Sequence, residues 1–151
     1  MKMVRLAAVA AMFAAAAGAA PVSAATLTII VTNVRNARGM VHVDLCREKE
    51  FLKDCAISAE VKSVVGSTTL RINNVAPGDY AVQGTQDENN NKKVDQGLFG
   101  IPKEGVGFSN DAPIGFSAPS WNKAKFTITG DKTITFRLRY FTGASGPPAS
   151  K

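Results

Sequence analysis

Apolar residues recur at every second position in run after run of this chain, and that spacing limits what it can fold into. Leu27, Ile29 and Val31 share one side of "TLTIIVTNV" (26–34), as do Val41, Val43 and Leu45 in "MVHVDLC" (40–46). Ile134, Phe136, Leu138 and Tyr140 alternate through "TITFRLRYF" (133–141). A period of two is that of a β-strand with one buried face, and no segment shows the 3.6-residue stripe of an amphipathic helix. Further strands are expected at "AISAEVKSVV" (56–65), "TTLRINNV" (68–75), the segment begun by Tyr80 and Val82, and "KAKFTITG" (123–130).

Turn chemistry separates these runs. "RNARG", Gly66-Ser67 and Gly130-Asp131-Lys132 each lie between two of them, so that 26–34 with 40–46 reads as a hairpin and 56–65 with 68–75 as another pair, while a turn separates 123–130 from 133–141. Pro77-Gly78 supplies a fixed φ followed by freedom at positive φ, as a tight entry to a strand requires. About seven short strands with regularly placed turns indicate an all-β fold, a single antiparallel β-sandwich of immunoglobulin-like type, with a small closed barrel as the runner-up. The interruption is a long irregular segment from Asp87 to Asn122, rich in Gly, Pro, Asn and Ser. Loops of this length in a compact domain are usually functional or packed on themselves.

The N-terminus points to export. Lys2 and Arg5 precede an apolar run from Leu6 to Ala20, and Val22 and Ala24 occupy the positions a signal peptidase reads, so residues 1–24 are expected to be a signal peptide cleaved after Ala24 or one residue later. The alternative, a membrane anchor, is disfavoured because the run is short of the ~20 residues a span needs. No lipobox Cys follows it. The expected product is periplasmic or secreted, with a β-sandwich domain over 25–141, no membrane span, and a disordered tail over 142–151 ("TGASGPPASK").

Removing Lys2 and Arg5 lowers the formal charge from +6 to +4, and the remaining cations are scattered rather than gathered into a tract that follows phosphates. Nucleic acid is therefore not an expected partner. The two cysteines, Cys46 and Cys55, would sit in an oxidising compartment. A local disulfide closing a loop around "REKEFLKD" would add roughly 2 to 3 kcal/mol; the alternative is two buried thiols. The single histidine, His42, lies on the outward side of its strand and no CxxC spacing completes a zinc set.

The polar stretch "QDENNNKKVD" places Asp87, Asn89, Asn91 and Asp95, with the carbonyl of Lys93, in the order D-x-N-x-N-x-x-x-D. Hard oxygens at alternate positions can converge on Ca²⁺. The set is incomplete: the position usually held by Gly is Lys92, which would need positive φ at a cost of about 1 kcal/mol, and Leu98 stands where a bidentate Glu would be. Any affinity is expected to be weak, on the order of 10⁻⁴ to 10⁻³ M. The competing reading is a metal-free turn in which Asp and Asn bond their own backbone. Downstream, "GLFGIPKEGVGFSND" (97–111) alternates glycines with apolar residues. Phe99, Ile101, Lys103, Glu104 and Phe108 could form a binding rim, although Phe99, Ile101 and Phe108 are more simply read as a plug for the sandwich's open end, with Phe116 and Trp121 packing beside them.

Taken together, "APGDYAV", "QDENNNKKVD", "GLFGIPKEGVGFSND" and "FTITGDKTITFRLRY" resemble an uncharacterised family of exported bacterial proteins catalogued as domain of unknown function twenty-one forty-one. The likeness spans essentially the whole mature chain. Members of that family usually carry N-G where this chain has Asn91-Lys92. The resemblance implies a periplasmic or secreted sandwich similar to prealbumin-like and carboxypeptidase-regulatory-like modules, which share a P-G-x-Y entry to a strand. It implies no known activity.

Catalytic patterns are missing from the sequence: there is no G-x-S-x-G elbow to serve His42, paired cysteines would leave no thiolate, and Asp87, Asp95 and Glu104 sit among lysines. We therefore expect a non-enzymatic exported protein with no cofactor beyond weak Ca²⁺. Two functional classes stand: a binding module for a small molecule, glycan or envelope protein, with a calcium-ordered loop at 87–95, or a structural, self-associating envelope protein in which that loop is a metal-free turn.

Overall fold

The computed structural model describes residues 24–148; the expected signal peptide lies outside them apart from Ala24. Eight strands form two sheets: β1 (Ala25–Val34), β2 (Met40–Cys46), β3 (Ile57–Lys62), β4 (Gly66–Val75), β5 (Gly78–Asp87), β6 (Gly105–Phe108), β7 (Phe126–Ile128) and β8 (Lys132–Arg137). One sheet has the order β4-β1-β8 and the other β3-β2-β5-β6, with β7 paired to the start of β5. The fold is the all-β arrangement the alternation predicts. All pairings are antiparallel except β1 with β8, which run parallel.

The inward residues are those expected. Leu27, Ile29, Val31, Val41, Val43, Val82, Phe136 and Leu138 are fully buried between the sheets. The expected hairpin and the second pair do not form. β1 pairs with β4 and β8 while β2 pairs with β3 and β5, so 26–34 and 40–46 lie in opposite sheets. The same holds for β3 and β4, and β7 joins β5 rather than β8. Alternation identifies the inward face of a strand but not its sheet, and a short turn can close a hairpin or carry the chain across the ~10 Å between two sheets. Asn33, at φ 64°, lies at an irregularity in β1 just before such a crossing.

Two further expectations change. The segment 87–122 is not wholly irregular: β6 lies within it and a one-turn helix, α1 (Trp121–Ala124), ends across its boundary. Alternation was hidden there because the inward positions of β6 are Gly105 and Gly107, whose missing side chains leave room for Tyr140 and Phe136. The tail is also anchored in its described part. Arg35 donates to the carbonyls of Thr142 (2.7 Å) and Ala144 (3.2 Å), and Asn33 Nδ2 donates to that of Ser145 (2.9 Å).

Tyr80 closes the turn at Pro77-Gly78 by donating its hydroxyl to the carbonyl of Ala76 (2.9 Å). At the other end of β5, buried Gln86 accepts from the Tyr140 hydroxyl (2.5 Å), and Arg35 stacks on the Tyr140 ring while pairing with Glu88. Burial pushes the Tyr140 phenol up to about 12. No helix among the described residues is long and apolar enough to cross a membrane.

Candidate functional site

The outer face of the five-stranded sheet carries the side chains that alternate away from the core: His42 and Asp44 from β2, Gln83, Thr85 and Asp87 from β5, Val106 and Phe108 from β6. Register sets them side by side, His42 opposite Thr85, Asp44 opposite Gln83, and Phe108 opposite Gln83 on the other side. Part of this face is roofed. Cys46 and Cys55 form a disulfide, as one of the two sequence readings expects, and the loop it closes packs Phe51 against Phe108 and Trp121 with ring centroids 5.9 and 5.7 Å apart. Ala81, Ala112 and Ala124 complete this second small core.

The rest of the face is the floor of a cleft of about 1190 Å³. Its ends and lips come from the disulfide loop (Leu52, Lys53), from residues 92–102 and from residues 114–118. The floor is polar, but its groups are already occupied. His42 Nε2 and Gln83 Nε2 bond the two oxygens of Asp44 (3.0 and 3.1 Å). Gln83 also holds the disulfide loop, donating to the Lys53 carbonyl (3.0 Å) and accepting from Leu52 N–H (3.0 Å). Thr85 donates to the Gly105 carbonyl (3.0 Å). His42 Nδ1 is the exception, buried without a partner and 3.8 Å from Glu60. Its bond to Asp44 outweighs burial and, with the negative charges of Asp44 and Glu60, raises the imidazole above its ordinary value.

The lips are the reverse, apolar and uncovered. Phe99 is 97% exposed, Phe116 is fully exposed and Ile101 is exposed. Phe99 has φ 60°, a left-handed conformation that a bulky side chain enters at a cost of about 1 to 2 kcal/mol. The plug expected from Phe99, Ile101 and Phe108 does not form: Phe99 and Ile101 are exposed, and Phe108 packs against Phe51 on the outer face of the sheet rather than at the open end of the sandwich. The far end of the sandwich is already filled by Gln86 and Tyr140, while residues 97–101 close on themselves through Gly97 N–H to the Ile101 carbonyl (2.7 Å) and stand away from the sheet. Trp121 packs against Phe51 on this outer face rather than at the sandwich's open end, and Phe116 does not join it.

Of the expected rim, Phe99, Ile101 and Phe108 line this cleft. Lys103 and Glu104 serve elsewhere. Lys103 offers its carbonyl to Arg35 (3.2 Å) and Thr142 (3.2 Å). Glu104 is 4% exposed and accepts N–H bonds from Glu88 (2.9 Å) and Asp95 (3.1 Å), fastening both ends of the Asp/Asn loop. Burial, only partly opposed by those bonds, raises its carboxyl above the usual range, and the charges of Asp87 and Asp95 add to the effect.

The loop itself is a chain of Asx turns. Asp87, nearly buried, accepts from Asn91 N–H (3.1 Å) and Lys92 N–H (2.7 Å). Asn89 Oδ1 accepts from Asn91 N–H (3.2 Å) and Asn91 Oδ1 from Lys93 N–H (2.9 Å). The amides of Asn89 and Asn91 each donate to one oxygen of Asp95 (2.7 and 2.8 Å). Lys92 takes φ 63°, the conformation the D-x-N-x-N-x-x-x-D spacing demands of that position. Asp87, Asn89, Asn91 and Asp95 are thus gathered around one turn. No group of three or more His, Cys, Asp or Glu placed to hold a metal occurs among the described residues.

The sequence reading missed Phe116, Leu52 and the His42-Asp44-Gln83 floor. The outward parity of His42 and Asp44 was visible, but the strands placed beside them were not. No curated protein and no solved structure matches the chain. One family model does, over residues 29–135, from the β1 core residues to the middle of β8. The chain belongs to the bacterial family described as "Uncharacterized protein conserved in bacteria (DUF2141)".

Proposed function

We propose that this is an exported, non-enzymatic binding module, and that the cleft over the outer face of the five-stranded sheet is its ligand site. The observation that carries the reading is the pairing of a built concavity with large apolar side chains left in water. Phe99 and Phe116, on two separate loops, border one cleft, and Phe99 holds a strained backbone conformation there. Concave, mostly apolar surfaces with a few fixed polar groups are where ligands bind, and strain at an exposed residue points to function rather than to folding. The disulfide and the signal-like N-terminus support export.

A neutral apolar fluorophore, Nile red, tests the reading. Its fluorescence should rise to saturation on titration with monomeric protein, and this response should be lost in Phe99→Ser plus Phe116→Ser while the melting temperature stays unchanged. An absent response, or one that survives the double substitution, overturns the proposal. A response found only at concentrations where the chain dimerises favours the self-associating alternative.

The wall formed by residues 87–95 is, in the same reading, weakly ordered by Ca²⁺. Support comes from the positive φ of Lys92 and from the Asp87 contacts to Asn91 and Lys92, a turn already set as an oxygen-ligand loop needs it. Millimolar Ca²⁺ should raise the melting temperature of the mature protein, and Asp87→Ala plus Asp95→Ala should abolish that rise. If Ca²⁺ changes nothing, the loop is a metal-free turn and the cleft stands without it.

A further inference from the structure

We infer that the chain pairs with a second copy of itself through β3, whose outer edge joins the same edge of the copy antiparallel and fuses the two five-stranded sheets across a two-fold axis. The contact is separate from the cleft, since no residue of Ile57–Lys62 lines it.

The two sides of the sandwich differ. On one, Val106 of β6 and Arg139, just beyond β8, exchange N–H to carbonyl bonds (3.0 and 2.8 Å), which ties the sheets together and closes that side. On the other, β3 and β4 each have a strand on one flank only. The unpaired N–H and carbonyl groups of such an edge are a template for another strand. β4 suits this poorly: its register with β1 is irregular at both ends, Asn74 takes φ 59°, and its outward residues Ser67, Thr69, Arg71 and Asn73 include no carboxylate. β3 follows β2 without a register shift and contains neither Pro nor Gly.

Ser63 N–H donates to the Gly39 carbonyl (3.2 Å). Because an antiparallel ladder alternates, Ile57, Ala59 and Val61 spend their backbone groups on β2, and those of Ser58, Glu60 and Lys62 point away from it. Charge selects the occupant. In a two-fold pair Glu60 of each copy lies opposite Lys62 of the other, each such pair exchanging backbone bonds and setting opposite charges side by side. Lys62 forms no ion pair among the described residues, and the Glu60 side chain, 3.8 Å from the His42 ring, is 41% exposed. Sliding one copy by two residues sets Glu60 against Glu60, which like charge opposes. The Glu60-Lys62 alignment also brings Val64 and Val65, exposed just past the strand, toward Ile57 of the other copy.

Sedimentation equilibrium of residues 25–151 provides the test. A weak, reversible dimer should appear as the concentration approaches millimolar, since a short edge with exposed ion pairs gives low affinity. Glu60→Lys and Lys62→Glu, each alone, should weaken it about tenfold or more with the melting temperature little changed. An equimolar mixture of the two variants should associate as the parent does, because each presents the other with opposite charge, and so should the double variant. Amide exchange at Glu60 and Lys62 should slow with concentration while that at Val61 does not change. A monomer throughout this range overturns the inference, as does a dimer that withstands both single reversals or is not restored in the mixture. A dimer abolished by Phe99→Ser plus Phe116→Ser overturns it too, because the contact would then lie at the lips of the cleft.

Discussion

The outer face of the five-stranded sheet is finished in two different ways along its length. At one end Phe51, Phe108 and Trp121 meet edge to face beneath the disulfide loop, with Ala81, Ala112 and Ala124 filling between them. Farther along the same face, Phe99 and Phe116 stand in water on loops above a polar floor. The roofed half buries its apolar surface and draws stability from it. The open half keeps comparable surface unburied and forgoes that stabilisation, roughly 1.5 to 3 kcal/mol for each large side chain that could have been covered. The open half is the part of the face proposed above as a ligand site.

The sharpest way to break this comparison is to truncate an aromatic in each half. Phe51→Ala should destabilise by about 3 kcal/mol, because it leaves a cavity beneath the disulfide loop; chemical denaturation would measure it. Next in size is the staple over the same half. Cys46→Ala plus Cys55→Ala should cost about 2 to 3 kcal/mol and should also weaken ligand binding, since Leu52 and Lys53 belong both to that loop and to the cleft. In the wall of the open half, Glu104→Gln should cost about 1 to 2 kcal/mol, because an amide can accept from only one of the two N–H groups that Glu104 now serves. Hydrogen exchange at Glu88 and Asp95 would locate that loss.

Phe99→Gly should do the reverse of Phe51→Ala. It relieves a left-handed backbone and uncovers nothing buried, so stability should stay the same or rise by up to about 1 kcal/mol. A loss as large as that at Phe51 would erase the distinction between the halves. The smallest expected effect is pH dependence from His42. Its pKa is raised in the folded state, so its contribution to stability is complete below the ordinary value of 6.5 and is lost as pH rises through the higher folded value. His42→Gln should flatten the stability profile across that window. Asp44 and Glu60 are the acidic groups facing the ring.

How much of this was legible in the sequence depended on what each signal encodes. Alternation gave the inward set from Leu27 to Leu138 because the strand period is a local property. It could not say that β1 pairs with β4 and β8, since sheet membership is decided by non-local packing. β6 was concealed by Gly105 and Gly107, inward positions emptied to admit Tyr140 and Phe136. At the site, the turn at Lys92 and the outward parity of His42 were readable; the exposure of Phe99 and Phe116 was not, because an apolar residue in a glycine-rich loop reads as packing until the neighbouring surface is known. Glu104 resembled a rim acid in sequence, and only the fold shows it turned inward onto the N–H groups of Glu88 and Asp95.

The most direct test of the open half as a ligand site is an amide chemical-shift map of residues 25–151 titrated with Nile red. Saturable shifts confined to residues 83–85, 92–102, 106–108 and 114–118, with the three-stranded sheet silent, are the predicted result. Shifts centred on β4, β1 or β8, or no saturable shifts at all, would contradict it.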